Sequence, residues 1–224
     1  NPAHYADAPL AGIRRLLGVD DPHGPIPSER IAAVKMGTTV ATNALLERRG
    51  AAVCLVVTRG FAELLEIGYQ DRPDIFALQI DKPSPIVTRV IEADERLMAD
   101  GSVRQPLDET ALRRELRVAY DAGMRSVAIA LMHSYAWPDH ERRAGAIARQ
   151  VGFEQVSLSH EVNGEIRLVA RASTAAVDAY LTPILRRYVD RVRRALGPDV
   201  DLRFMQSHGG LADADHFTGA EAIL

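Results

Sequence analysis

Along the chain, short continuous apolar runs alternate with segments whose apolar residues recur every third or fourth position. That alternation predicts buried strands and amphipathic helices that cover them, an α/β arrangement with mixed sheets. Leu10, Ile13, Leu16 and Leu17 form a helical stripe over residues 7–17, closed by Gly18. A loop holding Pro22, Pro25 and Pro27 follows, and then a short strand at 31–35. Gly37 breaks that strand, and Thr38 or Thr39 caps a helix expected to reach about Arg49 and stop at Gly50. Residues 53–57 are continuously apolar, as a strand covered on both faces must be, and 62–67 read as a short helix. From 68 to about 85 the chain is rich in Asp, Pro and Gly without a period, which predicts an ordered loop.

Residues 87–97 read as extended, and Asp100-Gly101 predicts a turn into 102–105, giving a hairpin. Asp108 is placed to cap the next helix, with Leu107 and Leu112 stapling its first turn and Gly123 ending it. A second buried strand at 126–132, a helix from Pro138 to Gly152 and a third short strand at 155–158 follow. The longest helical stripe joins Ile166, Val169, Ala170, Ser173, Val177, Tyr180 and Leu181. Pro183 interrupts it, so a second helix is expected to restart at the Thr182 cap and use Ile184, Leu185, Tyr188, Val189, Val192 and Leu196. A last strand at 201–205 runs into Ser207-His208-Gly209-Gly210, and no internal repeat is present.

With 224 residues, one large domain or two lobes, about 1–158 and 159–224, both fit. Apolar residues make up 47% and charged ones 25%, which places the chain among globular proteins. A net charge of -3 offers a nucleic-acid backbone no attraction, so no nucleic-acid partner is expected. The late arginines, Arg186, Arg187, Arg191, Arg193 and Arg194, alternate with apolar positions and read as a solvated helix face. The single cysteine, Cys54, excludes an internal disulfide and lies in an apolar run where a small buried hydrophobe is expected. No apolar stretch reaches the ~20 residues of a membrane span and no signal pattern opens the chain, so no membrane association and a cytoplasmic location are expected. A first residue Asn1 and an apolar end at Ala222-Ile223-Leu224 lead us to expect a piece of a longer protein.

Ligands of α/β sheets gather where strands end and helices begin, because free backbone amides and the helix dipole favour anions and carbonyl oxygens. Three stretches have that form. In the first, Gly37 allows close backbone approach beside Thr38, while Thr39, Thr42 and Asn43 share a helical face; the alternative is an ordinary cap. The second is Arg59-Gly60 after the 53–57 strand, where a guanidinium can grip a carboxylate, or simply lie on the surface of a turn. The third is Ser207, His208, Gly209 and Gly210, which a plain turn explains equally well. His133, Ser134, His140 and Glu141 match no zinc or nucleophile spacing and are expected to be a loop held by hydrogen bonds; no metal site is expected. Neither a P-loop nor a dinucleotide fingerprint is present.

Gly37-Thr-Thr-Val-Ala-Thr-Asn-Ala-Leu-Leu-Glu-Arg48, Thr58-Arg-Gly-Phe61 and Leu64-Leu-Glu-Ile-Gly68 together resemble the N-terminal region of the hydantoinase A/5-oxoprolinase family. Further matches in family order are Arg72-Pro73, Glu95-Arg96, Leu131-Met-His-Ser-Tyr135 with His140-Glu141, Arg171-Ala-Ser-Thr174, Ala179-Tyr-Leu181 and Met205-Gln-Ser-His-Gly-Gly210. The resemblance implies a fragment of an actin-like (ribonuclease H-like) ATPase fold that uses ATP and Mg²⁺ to phosphorylate a small cyclic amide before ring opening. It also implies a second hydantoinase-type subunit or domain as partner, and an oligomer. On it, Thr38, Thr39 and Asn43 position substrate or γ-phosphate, Arg59 takes a substrate carboxylate, and His208, with Gly209 and Gly210, lies near the reacting centre. His208 and Thr39 are the catalytic candidates; Gly37, Thr42, Gly60 and Ser207 complete the binding set. Two departures stand out: Met36 replaces the histidine usual before Gly-Thr-Thr, and neither family phosphate loop is present. The piece is therefore expected to lie between those loops and not to hydrolyse ATP alone. The ATP-using subunit of an acetone- or acetophenone-type carboxylase resembles the same family, and a non-catalytic binding or scaffold module is the reading from another class.

Overall fold

A computed structural model describes residues 7–21, 23–70, 76, 82 and 84–222. In chain order the elements are α1 (Ala8–Leu16), β1 (Ala33–Met36), α2 (Val40–Leu46), β2 (Val53–Thr58), α3 (Leu64–Ile67), β3 (Val87–Ala93), β4 (Arg96–Leu97) and β5 (Val103–Gln105). They continue with α4 (Glu109–Asp121), β6 (Ser126–Ala130), α5 (Asp139–Val151), β7 (Gln155–Leu158), α6 (Ser159–Val162), α7 (Leu168–Leu196), β8 (Asp201–Met205), β9 (Leu211–Asp213) and α8 (Gly219–Ala222). This is the expected α/β alternation with mixed sheets. Contacts group the chain into two units, Ala44–Pro183 and the residues up to Asn43 together with those from Ile184 on.

The first unit is built on a parallel sheet of order β3-β2-β6-β7. Every β2 and β6 residue is buried, as the continuous apolar runs require. Cys54 and Val56 of β2 and Val127 and Ile129 of β6 face Leu112, Leu116 and Ala119 of α4 and Ala144, Ile147 and Ala148 of α5. Fully burying one such leucine stabilises by roughly 1.5–3 kcal/mol. On the opposite face Ser157 of β7 donates to Asp178 of α7 at 2.7 Å. The start of α4 and the end of α5 are as read: Asp108 Oδ1 accepts from the Ala111 amide at 2.9 Å, and Gly152 takes the left-handed turn that closes α5.

From β2 the chain lays β3 on one side, then crosses back to lay β6 on the other. The winding direction reverses between β2 and β6, so a crevice opens at their carboxyl ends. The 94–105 segment passes there as the expected hairpin, with β4 antiparallel to β5 and Gly101 at φ +83° in its turn. Trp137 donates its indole N–H to the Ala99 carbonyl at 3.2 Å and tethers that turn.

In the second unit β1 runs parallel to β8, and β8 antiparallel to β9. Phe204 of β8 stacks on Phe217 with ring centroids 5.0 Å apart and meets Tyr188 of α7 edge-on at 6.1 Å.

Three expectations change. The two helices expected around Pro183 are one, α7, because buried positions on both sides of the proline, Ala172 to Ala179 and Leu185 to Leu196, outweigh one lost backbone bond of about 3 kcal/mol. Thr182 does not cap; its hydroxyl donates to Asp178 one turn back at 2.8 Å. Finally, α2 ends at Leu46, with Arg48 in the left-handed region at φ +53°, so Gly50 is not its stop. The loop expected at 68–85 lies largely outside the described residues, as do Arg72 and Pro73.

Cys54 is completely buried, and burial pushes its thiol up to about 12 against a small opposing pull from Arg89. Among the described residues no helix is long and apolar enough to cross a membrane.

Candidate functional site

In the β1/β8 unit, Met36 pairs with Phe204, so the 37–39 and 206–210 loops leave the same carboxyl edge of the sheet. A cavity of about 300 Å³ opens beside the first of them, lined by Gly37, Thr38, Thr39 and Val40 with Asp7, Tyr188 and Arg191. The Thr38 hydroxyl accepts from the amide of Val40, the first residue of α2, at 3.1 Å. Thr39 and Asn43 touch each other at 3.4 Å and stay exposed, as does Thr42, which does not line the cavity. Arg191 binds Asp7 at 3.1 Å and lies 5.3 Å above the Tyr188 ring. Burial, and then the Asp7 charge, raise the Tyr188 hydroxyl above the ordinary phenol range, against the opposing effects of Thr38 and Arg191.

Ser207, His208, Gly209 and Gly210 form the tip of the β8–β9 hairpin, not a passage from strand to helix, because β9 folds straight back onto β8. The Gln206 amide donates to the Gly210 carbonyl at 2.8 Å, and the exposed His208 ring accepts from the Gly210 amide at 3.3 Å. Ser207 donates its hydroxyl to the Glu221 carbonyl at 2.9 Å.

In the other unit, Arg59 and Gly60 follow β2. Arg59 pairs with Asp94 at 3.0 Å, and the Gly60 amide donates to Glu92 at 2.7 Å. Gly60, Phe61, Leu64, Ile67 and Glu92 line a cavity of about 450 Å³ to which Arg59 does not contribute.

The loop after β6 is held by hydrogen bonds, as expected for Ser134, His140 and Glu141. Glu95 is buried, binds His140 Nδ1 at 2.7 Å and accepts from the Thr58 hydroxyl, which in turn accepts from the Met132 amide at 2.9 Å. Glu141, also buried, accepts from the Leu131 amide at 2.8 Å, from Ser159 at 3.0 Å and from the His160 amide at 3.0 Å, and meets His160 Nδ1 at 2.8 Å. Burial alone pushes the Glu141 carboxyl up, but these donors, His160 foremost, outweigh it and hold it below its ordinary value. A depressed carboxylate contributes stability above the ordinary carboxylate range and loses it as pH falls through its folded value. Denaturant midpoints taken from pH 7 down to pH 3 should therefore drop below about pH 4.3, and drop less steeply in Glu141→Gln; equal slopes would remove Glu141 as the cause.

Sequence reasoning did not find Asp7, Tyr188 or the cavity role of Arg191. Tyr188 and Arg191 stand three apart on one helix face, a legible signal; nothing local links either to Asp7. Among the described residues no three His, Cys, Asp or Glu side chains are grouped to hold a metal.

Comparison with known proteins places these features in a family. A model described as hydantoinase/oxoprolinase N-terminal region matches residues 3–152, and one described as hydantoinase/oxoprolinase matches 171–224. The chain is 42% identical to 5-oxoprolinase 1 of Arabidopsis thaliana, a match covering all of this chain and 20% of that protein. The crystal structure of an ATP-dependent caprolactamase from Pseudomonas jessenii superposes with a TM-score of 0.80 at 32% identity, over 96% of this chain and 32% of that one. A nucleotide-free acetone carboxylase shares the fold alone, with a TM-score of 0.75 at 23% identity over 96% of this chain and 32% of that one. The chain thus spans about a fifth of the length of the curated relatives it first matches. The chain belongs to the hydantoinase/oxoprolinase family.

Proposed function

We propose that this chain is part of an ATP-dependent enzyme that opens the ring of a small cyclic amide, of the 5-oxoproline, hydantoin or lactam class. The observation that carries the reading is the 42% identity, across the whole chain, to a protein named 5-oxoprolinase. The polar cavity at the end of β1 supports it. ATP transfers its γ-phosphoryl group to the ring carbonyl oxygen and leaves as ADP; one water adds to that carbon, the ring C–N bond breaks as the nitrogen takes up a proton, and a second water hydrolyses the resulting acyl phosphate to a carboxylate and inorganic phosphate.

Negative charge develops on the carbonyl oxygen, and stabilising it is the largest catalytic contribution to expect. In this reading the Gly37 backbone and the Thr38 and Thr39 hydroxyls hold that oxygen or the γ-phosphate, while Arg191 supplies the positive charge at the cavity wall. Thr42 and Asn43 face outward on α2 and contact the remainder of a bound substrate or partner. Within the Ala44–Pro183 unit, Arg59 is the candidate grip for a carboxylate, in exchange for Asp94 and beside the Gly60 amide. His208, with Ser207, Gly209 and Gly210, stands on the same sheet edge as Thr39 and serves the reacting centre. An actin-like ATPase architecture, Mg²⁺, a second hydantoinase-type subunit, an oligomer and a cytoplasmic setting belong to the same proposal.

The test is ATP hydrolysis by the full-length protein with its partner subunit, in the presence of 5-oxoproline, a hydantoin or caprolactam. One of these should stimulate turnover, and Thr39→Ala should lower the stimulated rate about 100-fold. Stimulation by ketones with bicarbonate alone would replace ring opening with carboxylation. Unchanged turnover in Thr39→Ala would move the site away from α2.

A further inference from the structure

The crevice between the carboxyl ends of β2 and β6 is not used by the ring-opening reading, and its chemistry is distinctive. A cavity of about 410 Å³ lies there, lined by Arg96, Arg104, Gln105, Met132 and His133 among others. Its position follows from topology: Met132 and His133 come directly after β6, and Arg96 spans from one strand end to the other. One guanidinium nitrogen of Arg96 donates to the Arg59 carbonyl after β2 at 2.9 Å, and the other lies 3.3 Å from the Met132 sulfur after β6. The Met132 amide donates to Thr58, the last residue of β2, so the two strand ends are tied below the cavity floor. Reversal points of this kind are where open α/β sheets bind their ligands.

The lining is cationic and not neutralised. Among the described residues Arg104 has no hydrogen-bond or ion-pair partner, and the His133 ring makes no hydrogen bond. The nearby acids are committed elsewhere: Asp94 to Arg59 and Gln105, and Glu95 to Thr58 and His140. His133 holds φ +61°, an uncommon conformation for a residue with a side chain, fixed by the Ala136 and Trp137 amides that donate to its carbonyl. Two guanidinium groups and an imidazole around a small cavity, with no acid left to pair among the described residues, suit a negatively charged oxygen cluster.

We infer that this crevice binds the oxyanion of a small molecule, held by Arg96 and Arg104 with His133 as a further donor. The shared chemistry is two or three acceptor oxygens carrying negative charge; a small-molecule carboxylate and a phosphate are its two sources. The inference stands without the ring-opening reading, because it requires binding and not turnover.

Calorimetric titration of the full-length protein with 5-oxoproline and, separately, with inorganic phosphate tests it. One probe should bind, and Arg104→Ala should weaken it at least about tenfold, the worth of one lost charged hydrogen bond. His133→Ala should weaken the same probe, and Arg104→Lys should retain part of the affinity. Arg104 is exposed and touches no partner among the described residues, so its replacement leaves the fold intact, which an unchanged melting curve verifies. Binding of 5-oxoproline alone identifies a carboxylate site, and of phosphate alone a phosphoryl site. Absence of both at millimolar concentration, or affinities indifferent to Arg104→Ala, would overturn the inference. Failure of the ring-opening reading looks different: no cyclic amide stimulates ATP hydrolysis, while Arg104-dependent binding persists.

Discussion

Replacing Arg171 with methionine should cost about 3–5 kcal/mol, a large share of the ~5–15 kcal/mol that holds a typical protein folded. The Arg171 side chain is fully buried, donating to Ser134 at 2.6 Å, to the Leu131 carbonyl at 3.1 Å and to Ser159. Ser159 in turn donates its hydroxyl hydrogen bond to Glu141 at 3.0 Å, so a positive and a negative group are joined through a hydroxyl. Burial pulls Arg171 below its ordinary value while Glu141 works the other way, as expected for a cation whose counter-charge is close. Methionine fills the volume but leaves the Glu141 carboxylate without that counter-charge and the Leu131 carbonyl with one donor fewer. Urea midpoints measure the loss. Arg171→Met with Glu141→Gln should be less unstable than the single replacement, since no buried charge then remains unbalanced. If the double variant is as unstable as the sum of its parts, the coupling is absent.

The second large effect is steric. A Cβ added at Gly50 would lie 2.0 Å from the Tyr180 ring, and the Ala51 amide donates to the Tyr180 carbonyl at 3.0 Å. The backbone after α2 is therefore pinned against α7 at a distance only glycine allows, and Tyr180 is 6% exposed, with little room to turn. Overpacking of this kind costs about 1–3 kcal/mol, and Gly50→Ala should sit at the upper end. Tyr180→Leu in the Gly50→Ala background should recover part of that loss, giving a coupling of about 0.5–3 kcal/mol in a double-mutant cycle. Additive losses would mean the ring moves aside freely.

Gly50 also shows where sequence reading stops. Next to an expected helix end, glycine reads as a stop signal; its actual role depends on an aromatic ring 130 positions later in the chain (180 − 50). The elements themselves were legible because their signals are local: Asp108 three residues before the amide it caps, Gly152 just past α5, Asp100-Gly101 at the hairpin turn. Pro183 misleads for the opposite reason, since a local breaker is overruled by apolar burial on both of its sides. Ser134, His140 and Glu141 are tied into hydrogen bonds, as the mismatch of their spacing to any catalytic pattern led us to expect. The gathering of Arg96, Arg104 and His133 was not legible, because strand order in a parallel sheet brings together positions with no periodic relation. Arg59 was visible as a charged turn residue, whereas its pairing with Asp94 required knowing that β2 and β3 are neighbours.

The seclusion of Cys54 has a practical outcome. With the one native thiol of this chain shielded and hard to ionise, a cysteine engineered onto its surface becomes the sole group here that maleimide dyes reach under native conditions. A fluorophore attached beside the β4–β5 turn would then report occupancy of the neighbouring crevice by a change in emission, with no need to remove Cys54 first.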